Sequence, residues 1–186
     1  TQMCIMLAVF MGKVLKKKTA VAGDEVTYSL MLRQMQKAAA IQHKGIASRH
    51  AYSMDGIDYY CGIRDEDIGI LRQKYDVIIL DISFENTFDN TNVTFARMVS
   101  RLSACDEKIL AGSMLPWKSR ECEKKMERIE RFLDIRGLKM VTLAACDKEA
   151  VSIIKKHGVE VVLIPFERNP FVISGENLRS FLELLK

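Results

Sequence analysis

The stretch YDVIILDIS, residues 75–83, decides the fold class of this chain. It contains an unbroken apolar run, Val77 to Leu80, that ends in the single acid Asp81. Apolar residues without alternation are typical of a strand that is covered on both faces, as in a parallel sheet. The stretch therefore predicts an α/β fold, in which helices must cover the sheet.

Outward from this strand, helix-like and strand-like segments alternate along the chain. This order predicts one three-layer α/β/α domain over residues 1–186, with a mostly parallel sheet. Helices are predicted at residues 2–15, 26–40, 65–73, 92–104, 118–132, 148–158 and from Glu176 onward, and strands at 18–23, 56–62, 75–83, 108–114, 139–145 and 159–165. Loops are predicted at residues 41–50 and 84–92.

The composition excludes several classes of protein. With 48% apolar and 28% charged residues, the chain has enough apolar material for a core without disulfides or metal. Its longest apolar run, Cys4 to Met11, is far shorter than the roughly 20 residues of a membrane span. Acids and bases are interspersed, so the net charge of +4 gives no strong nucleic-acid signal. Five cysteines without a CxxC pair indicate a reduced, cytoplasmic protein, and three scattered histidines argue against zinc.

Four lysines, at positions 13, 16, 17 and 18, follow the first predicted helix. They have two interpretations. One is a patch for phosphate or anionic lipid, and the other, which we favour, is cations attracted by the negative end of the helix dipole.

Ligands of open α/β sheets bind beyond the carboxyl ends of the strands. The polar residues that end strands are therefore the candidate site residues. They are Asp24 with Glu25, Asp81 with Ser83, Ser113, Asp147 and the turn Pro165-Phe166-Glu167. Asp81 stands out, because a lone carboxylate there usually holds Mg²⁺ or accepts a phosphoryl group. The alternative is an Asp that only caps the next turn.

The order of LAVFM, KKTAVAGDE, YDVIILDIS, KILAGSMLPW and VVLIPFERNPF resembles the ParA/MinD group of P-loop ATPases with a deviant Walker A motif. More narrowly, it is similar to the divergent CpaE/TadZ-like branch. The resemblance implies a P-loop NTPase-like fold whose first strand and phosphate loop precede this sequence. We therefore expect the chain to be N-terminally truncated and the strand YDVIILD to pair on one side only.

The resemblance also implies ATP and Mg²⁺ as cofactors and assigns roles to site residues. Thr1 would be the last residue of the phosphate loop, and Asp81 would hold Mg²⁺ through water. Pro165, Phe166 and Glu167 would border the adenine. Asp24 would help place the attacking water, although Gly23 competes for that position, so hydrolysis is expected to be slow or absent.

The family's behaviour implies a nucleotide-dependent homodimer that positions a pilus-, secretion- or partition-type assembly. Its partner would be a protein of a polar or membrane-associated assembly, with peripheral membrane contact as a further expectation. The closing helix ENLRSFLELLK has apolar residues at a spacing that fits either docking on a membrane or, as we favour, packing on its own sheet. These residues are Leu178, Phe181, Leu182 and Leu185. Trp117, in the predicted turn LPW, resembles a family feature near the dimer or partner surface.

Two alternatives remain open. In a phospho-receiver domain, Asp24 and Glu25 would bind the metal, Asp81 would accept the phosphoryl group and Ser113 would supply the switch hydroxyl. Against it, Ile164 stands where a receiver has a lysine. The other alternative is an inert pseudo-ATPase that keeps the fold as a docking module.

Overall fold

A computed structural model describes residues 2–23, 39–40, 46, 50–82, 92–113, 115–135, 137–142 and 148–186. The helices are α1 Gln2–Val9 (continued by a π-helical turn, Phe10–Val14), α2 Asp65–Lys74, α3 Asn92–Ser103, α4 Pro116–Glu130, α5 Lys148–Lys156 and α6 Gly175–Leu184. The strands are β1 Thr19–Gly23, β2 Ala39–Ala40, β3 His50–Met54, β4 Ile57–Cys61, β5 Val77–Asp81, β6 Ile109–Gly112, β7 Lys139–Thr142 and β8 Glu160–Leu163. The contacts divide the chain into one unit of Thr1–Phe88 with Asn169–Ile173 and another of Asp89–Arg168 with Ser174–Lys186.

The first unit contains a five-stranded sheet in the order β2-β3-β4-β1-β5. β1 is parallel to both of its neighbours, β4 and β5, whereas β3 is antiparallel to β2 and β4. All five residues of β1 are buried, because helix α1 packs against β1 and β5. Parallel pairing of β1 with strands that follow it at a distance confirms the predicted α/β class.

β5 corrects one expectation. It is parallel, as predicted, but it lies at the edge of its sheet and pairs with β1 alone among the described strands. Only Ile79 is buried, and the other four residues of the strand are half-buried. The expectation of burial on both faces is therefore wrong for the structure described. An apolar run shows that a segment favours a β-strand, but it does not show how many strands lie beside that strand. The expectation of pairing on one side holds among these strands.

A hairpin joins β3 to β4 and corrects two further expectations. Asp55 and Gly56 have φ angles of 54° and 79°, as in a type I′ turn, whose twist matches that of the flanking strands. The segment predicted as a loop through His50 thus ends in strand β3. The last two residues of the helix predicted at 26–40 form strand β2 instead. The rest of that predicted helix lies outside the described residues.

The second unit contains a parallel three-stranded sheet in the order β6-β7-β8. Its core includes Met126 and Ile129 of α4, Ile154 of α5, and Phe181 and Leu184 of α6. The closing helix α6 thus packs inward through Phe181 and Leu184, as we favoured, whereas Leu182 is exposed. Lys139 caps its last turn, since the Nζ atom lies 2.7 Å from the carbonyl oxygen of Leu184.

The predicted turn LPW is the beginning of a helix. Pro116 occupies the first turn of α4, where its fixed φ and missing N–H fit without cost, so Trp117 belongs to the helix and not to a turn. Just before it, Gly112 ends β6 in a crowded position. A Cβ atom there would lie 2.6 Å from Met140 Cε and 2.7 Å from Cys122 Sγ, so a larger residue would require both side chains to move.

Candidate functional site

The carboxyl ends of three strands meet at one edge of the first sheet. Gly23, the last residue of β1, is in register with Cys61 on one side and with Asp81 on the other. The Gly62 N–H donates to the Gly23 carbonyl oxygen over 2.9 Å. Gly62 has a φ of 69°, which turns the chain away after β4. Asp81 therefore ends its strand beside the glycine that ends β1.

Helix α1 runs antiparallel to β1 and begins toward this same edge. The turn at residues 15–18 leads directly from its π-helical end into β1. That turn lies at the opposite edge of the sheet, because the Lys18 carbonyl oxygen accepts the N–H groups of Asp76 and Val77, where β5 starts. Since α1 packs on β1 and β5, its first turn points toward Asp81 and Gly23. The N–H groups at the start of a helix attract anions, phosphates above all.

Asp81 is thus the predicted site residue that lies at the carboxyl end of β5, at the same edge of the sheet as Gly23. Its side chain is half-buried. Among the described residues, no three His, Cys, Asp or Glu side chains group as metal ligands. Mg²⁺ is commonly held by one or two carboxylates together with phosphate and water, so a single carboxylate such as that of Asp81 fits this ion. Thr1, Asp24, Glu25, Ser83 and Asp147 lie outside the described residues.

The turn after β8 is the other predicted part of the site and lies in the second unit. Ile164 is fully buried and its N–H donates to the Thr142 carbonyl oxygen over 3.0 Å, which anchors the end of the strand. Pro165 is half-buried, and Phe166 is 63% exposed. A large ring exposed after a buried strand end offers an apolar face to a flat ligand. Phe166 is therefore not a core residue.

Glu167 fastens this turn to the start of α6. Its Oε1 atom accepts hydrogen bonds from the Ser174 backbone N–H at 3.2 Å and from the Asn177 Nδ2 at 2.9 Å. Ser174 caps the helix by accepting the Asn177 N–H. Hydrogen bonds from Ser174 and Asn177 lower the pKa of the Glu167 carboxyl. Glu167 therefore holds the loop that carries Phe166, a positioning role that the sequence did not reveal.

The Glu167→Ala variant should lower the Tm at neutral pH, because the helix start and the Asn177 amide lose their acceptor. A carboxyl whose pKa is lower in the folded state stabilises the fold above its unfolded pKa, near 4.5. The difference in Tm between the parent and the variant should therefore be largest above about pH 4.5. It should become smaller as the pH falls through the lowered pKa of Glu167. Thermal denaturation from pH 7 to pH 3 measures it. The control is Glu183→Ala, on the exposed face of α6, whose Tm should stay near that of the parent.

Asn177 was missed by sequence reasoning. It is fully buried, and its Oδ1 atom has no hydrogen-bond partner among the described residues. A buried amide is costly unless it is paired, so its bond to Glu167 contributes to fixing the loop. The sequence signal was the segment Ser174 to Asn177, in which a serine precedes a helix by one residue.

The phospho-receiver alternative also uses Asp81, which ends β5 in the first unit, and Ser113, which follows β6 in the second unit. The carbonyl oxygen of Ser113 accepts the Cys122 thiol, with a sulfur–oxygen distance of 3.6 Å, and burial raises the pKa of that thiol.

No helix in the described part of the chain is both long enough and apolar enough to cross a membrane.

No model of a known protein family matches the sequence, and none of the curated proteins matches it either. Two solved structures from Aquifex aeolicus are similar in fold. One is the cell division protein MinD; the alignment covers 100% of this chain and 92% of the MinD chain, with 12% identity and a TM-score of 0.64. The other is a MinC:MinD cell division protein complex; the alignment covers 97% of this chain and 90% of the matched chain, with 13% identity and a TM-score of 0.65. The chain therefore has the α/β fold of these MinD structures.

Proposed function

We propose that this chain is an ATPase domain of the ParA/MinD type, of the CpaE/TadZ-like branch, acting as a nucleotide-responsive switch or scaffold. The observation that carries the proposal is the edge formed by Gly23, Asp81 and the start of α1. It combines a helix start that suits phosphate with a carboxylate that suits Mg²⁺. The likeness to MinD over the whole chain supports the same assignment.

In this proposal Asp81 would hold Mg²⁺ through water, and Thr1 would be the last residue of the phosphate loop. A Mg²⁺ ion neutralises phosphate charge and orients the phosphoryl group when it is bound. Asp81 ends a strand whose partner β1 is completely buried, so its backbone position is well fixed. A fixed carboxylate can orient metal-bound water without reorganisation.

The adenine is assigned to the turn after β8, with Phe166 as its apolar face and Pro165 beside it. The 63% exposure of Phe166 supports this assignment, because an exposed ring gains from covering by a flat base. Glu167 contributes by holding the turn against α6. Substitution of Phe166 should therefore weaken ATP and ADP alike, since both carry the base.

Hydrolysis is proposed to be slow or absent. Asp24, the proposed catalytic acid, competes with Gly23 for the position that places the attacking water. Binding without rapid hydrolysis suits a protein whose output is a conformational or oligomeric state. A pseudo-ATPase that does not respond to nucleotide is the outcome against which this proposal is tested.

We further propose a cytoplasmic, nucleotide-dependent homodimer with a protein partner in a polar or membrane-associated assembly of the pilus, secretion or partition type. One of the similar structures is a complex of MinD with a second protein, MinC, which supports a partner-binding function in general terms. Nucleotide binding would shift the equilibrium toward the dimer by its differential affinity for that state.

Sedimentation velocity of the full-length protein tests the switch. With Mg-ATP we expect a shift from monomer to dimer, and with Mg-ADP or without nucleotide we expect a monomer. Phosphate release measured in parallel should be slow or absent. A monomer under all three conditions, together with no ATP binding by calorimetry, would leave only the inert docking module.

A further inference from the structure

The turn that joins α1 to β1 carries features that the nucleotide proposal does not use. This lysine turn, residues 13–18, lies at the edge of the first sheet opposite Asp81. Val14 is 42% exposed and Leu15 is 39% exposed, and the lysines at 16, 17 and 18 are exposed beside them. Two adjacent aliphatic side chains in water within a run of cations form a surface with both apolar and positive character.

Backbone N–H groups cap the end of the helix that precedes these lysines. The carbonyl oxygens of Phe10 and Met11 accept the backbone N–H groups of Leu15 and Lys17, at 3.1 Å and 3.0 Å, so the end of the helix is capped by the backbone. Lys16 has a φ of 56°, in the left-handed region that favours glycine, yet the position holds a lysine.

The individual lysines differ in their surroundings. Lys13 pairs with Asp55 of the hairpin turn at 2.6 Å, and the Lys18 Nζ atom lies 5.2 Å from the centre of the Tyr75 ring. Lys16 and Lys17 form no ion pair with any residue of the described ranges. Their charges are therefore available to an anionic partner.

From this pairing of exposed aliphatic side chains with lysines we infer that the lysine turn docks on an anionic lipid bilayer. Each lysine near such a surface is attracted to it, and Val14 and Leu15 can enter the apolar boundary below the headgroups. A nucleic acid would satisfy the lysines but would leave the two aliphatic side chains in water, and the turn offers no aromatic ring for base stacking.

This inference stands apart from the nucleotide site. In α6, Phe181 and Leu184 are fully buried, and the exposed Leu182 has no run of lysines beside it, so the lysine turn is the stronger candidate for a membrane contact.

Vesicle co-sedimentation of the full-length protein without nucleotide tests the inference. We expect binding to vesicles of phosphatidylcholine with phosphatidylglycerol, and little binding to phosphatidylcholine alone. One lysine contributes about fivefold in partitioning, so the double variant Lys16→Gln with Lys17→Gln should bind roughly 25-fold more weakly. The double variant Val14→Ser with Leu15→Ser should also lose binding while keeping its Tm, because both side chains are already exposed.

The matched control is Lys124→Gln with Arg131→Gln, which removes two exposed cations from the surface of the second unit and should leave vesicle binding unchanged. Three results would overturn the inference: equal loss in this control, wild-type binding by the lysine double variant, or wild-type binding by the Val14 and Leu15 double variant. Wild-type vesicle binding by the Val14 and Leu15 double variant, together with wild-type binding of polyphosphate by that variant, would indicate a phosphate patch. Because nucleotide is absent, a failure here leaves the ATP proposal standing.

Discussion

Asp81→Asn in the full-length protein is expected to weaken the Mg²⁺-dependent binding of ATP by roughly 10- to 100-fold, the range typical of carboxylates that orient metal-bound water. The variant keeps the shape of the side chain and loses its charge. The half-buried position at the end of β5 should tolerate this change, so the Tm should stay close to that of the parent. Isothermal titration calorimetry with Mg²⁺ and with EDTA separates the metal-dependent part of the affinity.

Asp76→Asn is the matched control for this measurement. Asp76 lies just before the same strand, at the opposite edge of the sheet, where its carboxylate accepts the Lys18 N–H over 2.8 Å. Its substitution removes an acid next to β5 without touching the proposed site, so the affinity for Mg-ATP should be unchanged. An affinity of Asp81→Asn equal to that of Asp76→Asn would remove Asp81 from the metal site. Labelling of Asp81 by acetyl phosphate would instead revive the phospho-receiver alternative.

Phe181→Ala is expected to destabilise the protein by about 3–5 kcal/mol, since truncating a fully buried aromatic residue loses its transfer free energy and leaves a cavity. The adjacent Leu182 is 47% exposed, and Leu182→Ala should cost less than about 1 kcal/mol. Urea denaturation monitored by circular dichroism gives both free energies of unfolding. The two free energies of unfolding, for neighbouring residues of one helix, thus show which face of α6 is buried.

This pair of variants also decides between the two interpretations of the closing helix. If α6 left the fold to bind a membrane, both substitutions would have small effects on stability and both would weaken vesicle binding. Similar free energies of unfolding for the two variants would contradict the packing that the structure shows. A large effect of Phe181→Ala alone, with unchanged vesicle binding by Leu182→Ala, agrees with a structural helix and with lipid docking elsewhere.

Local patterns in the sequence were sufficient for most elements. The apolar run before Asp81 predicted β5, the acids at 65–67 predicted the start of α2, and Gly158, with a φ of 72°, follows α5 as a C-terminal glycine. These features depend on residues within a few positions of one another, which is the range over which helix capping and strand propensity act. The hairpin was also within reach, because Asp55-Gly56 between strand-like segments is a strong signal for a type I′ turn.

The sequence by itself therefore determined the class of the fold and placed Asp81 at the end of a strand. Only the tertiary structure decided that β1 lies between β4 and β5, that the start of α1 points toward Asp81, and that Glu167 holds the turn of Phe166 against α6. The physical reason is distance along the chain. Strand pairing and the burial of a helix face depend on residues far apart in sequence, such as Gly23 with Asp81 or Lys139 with Leu184, and no local pattern encodes which distant partner a segment will find.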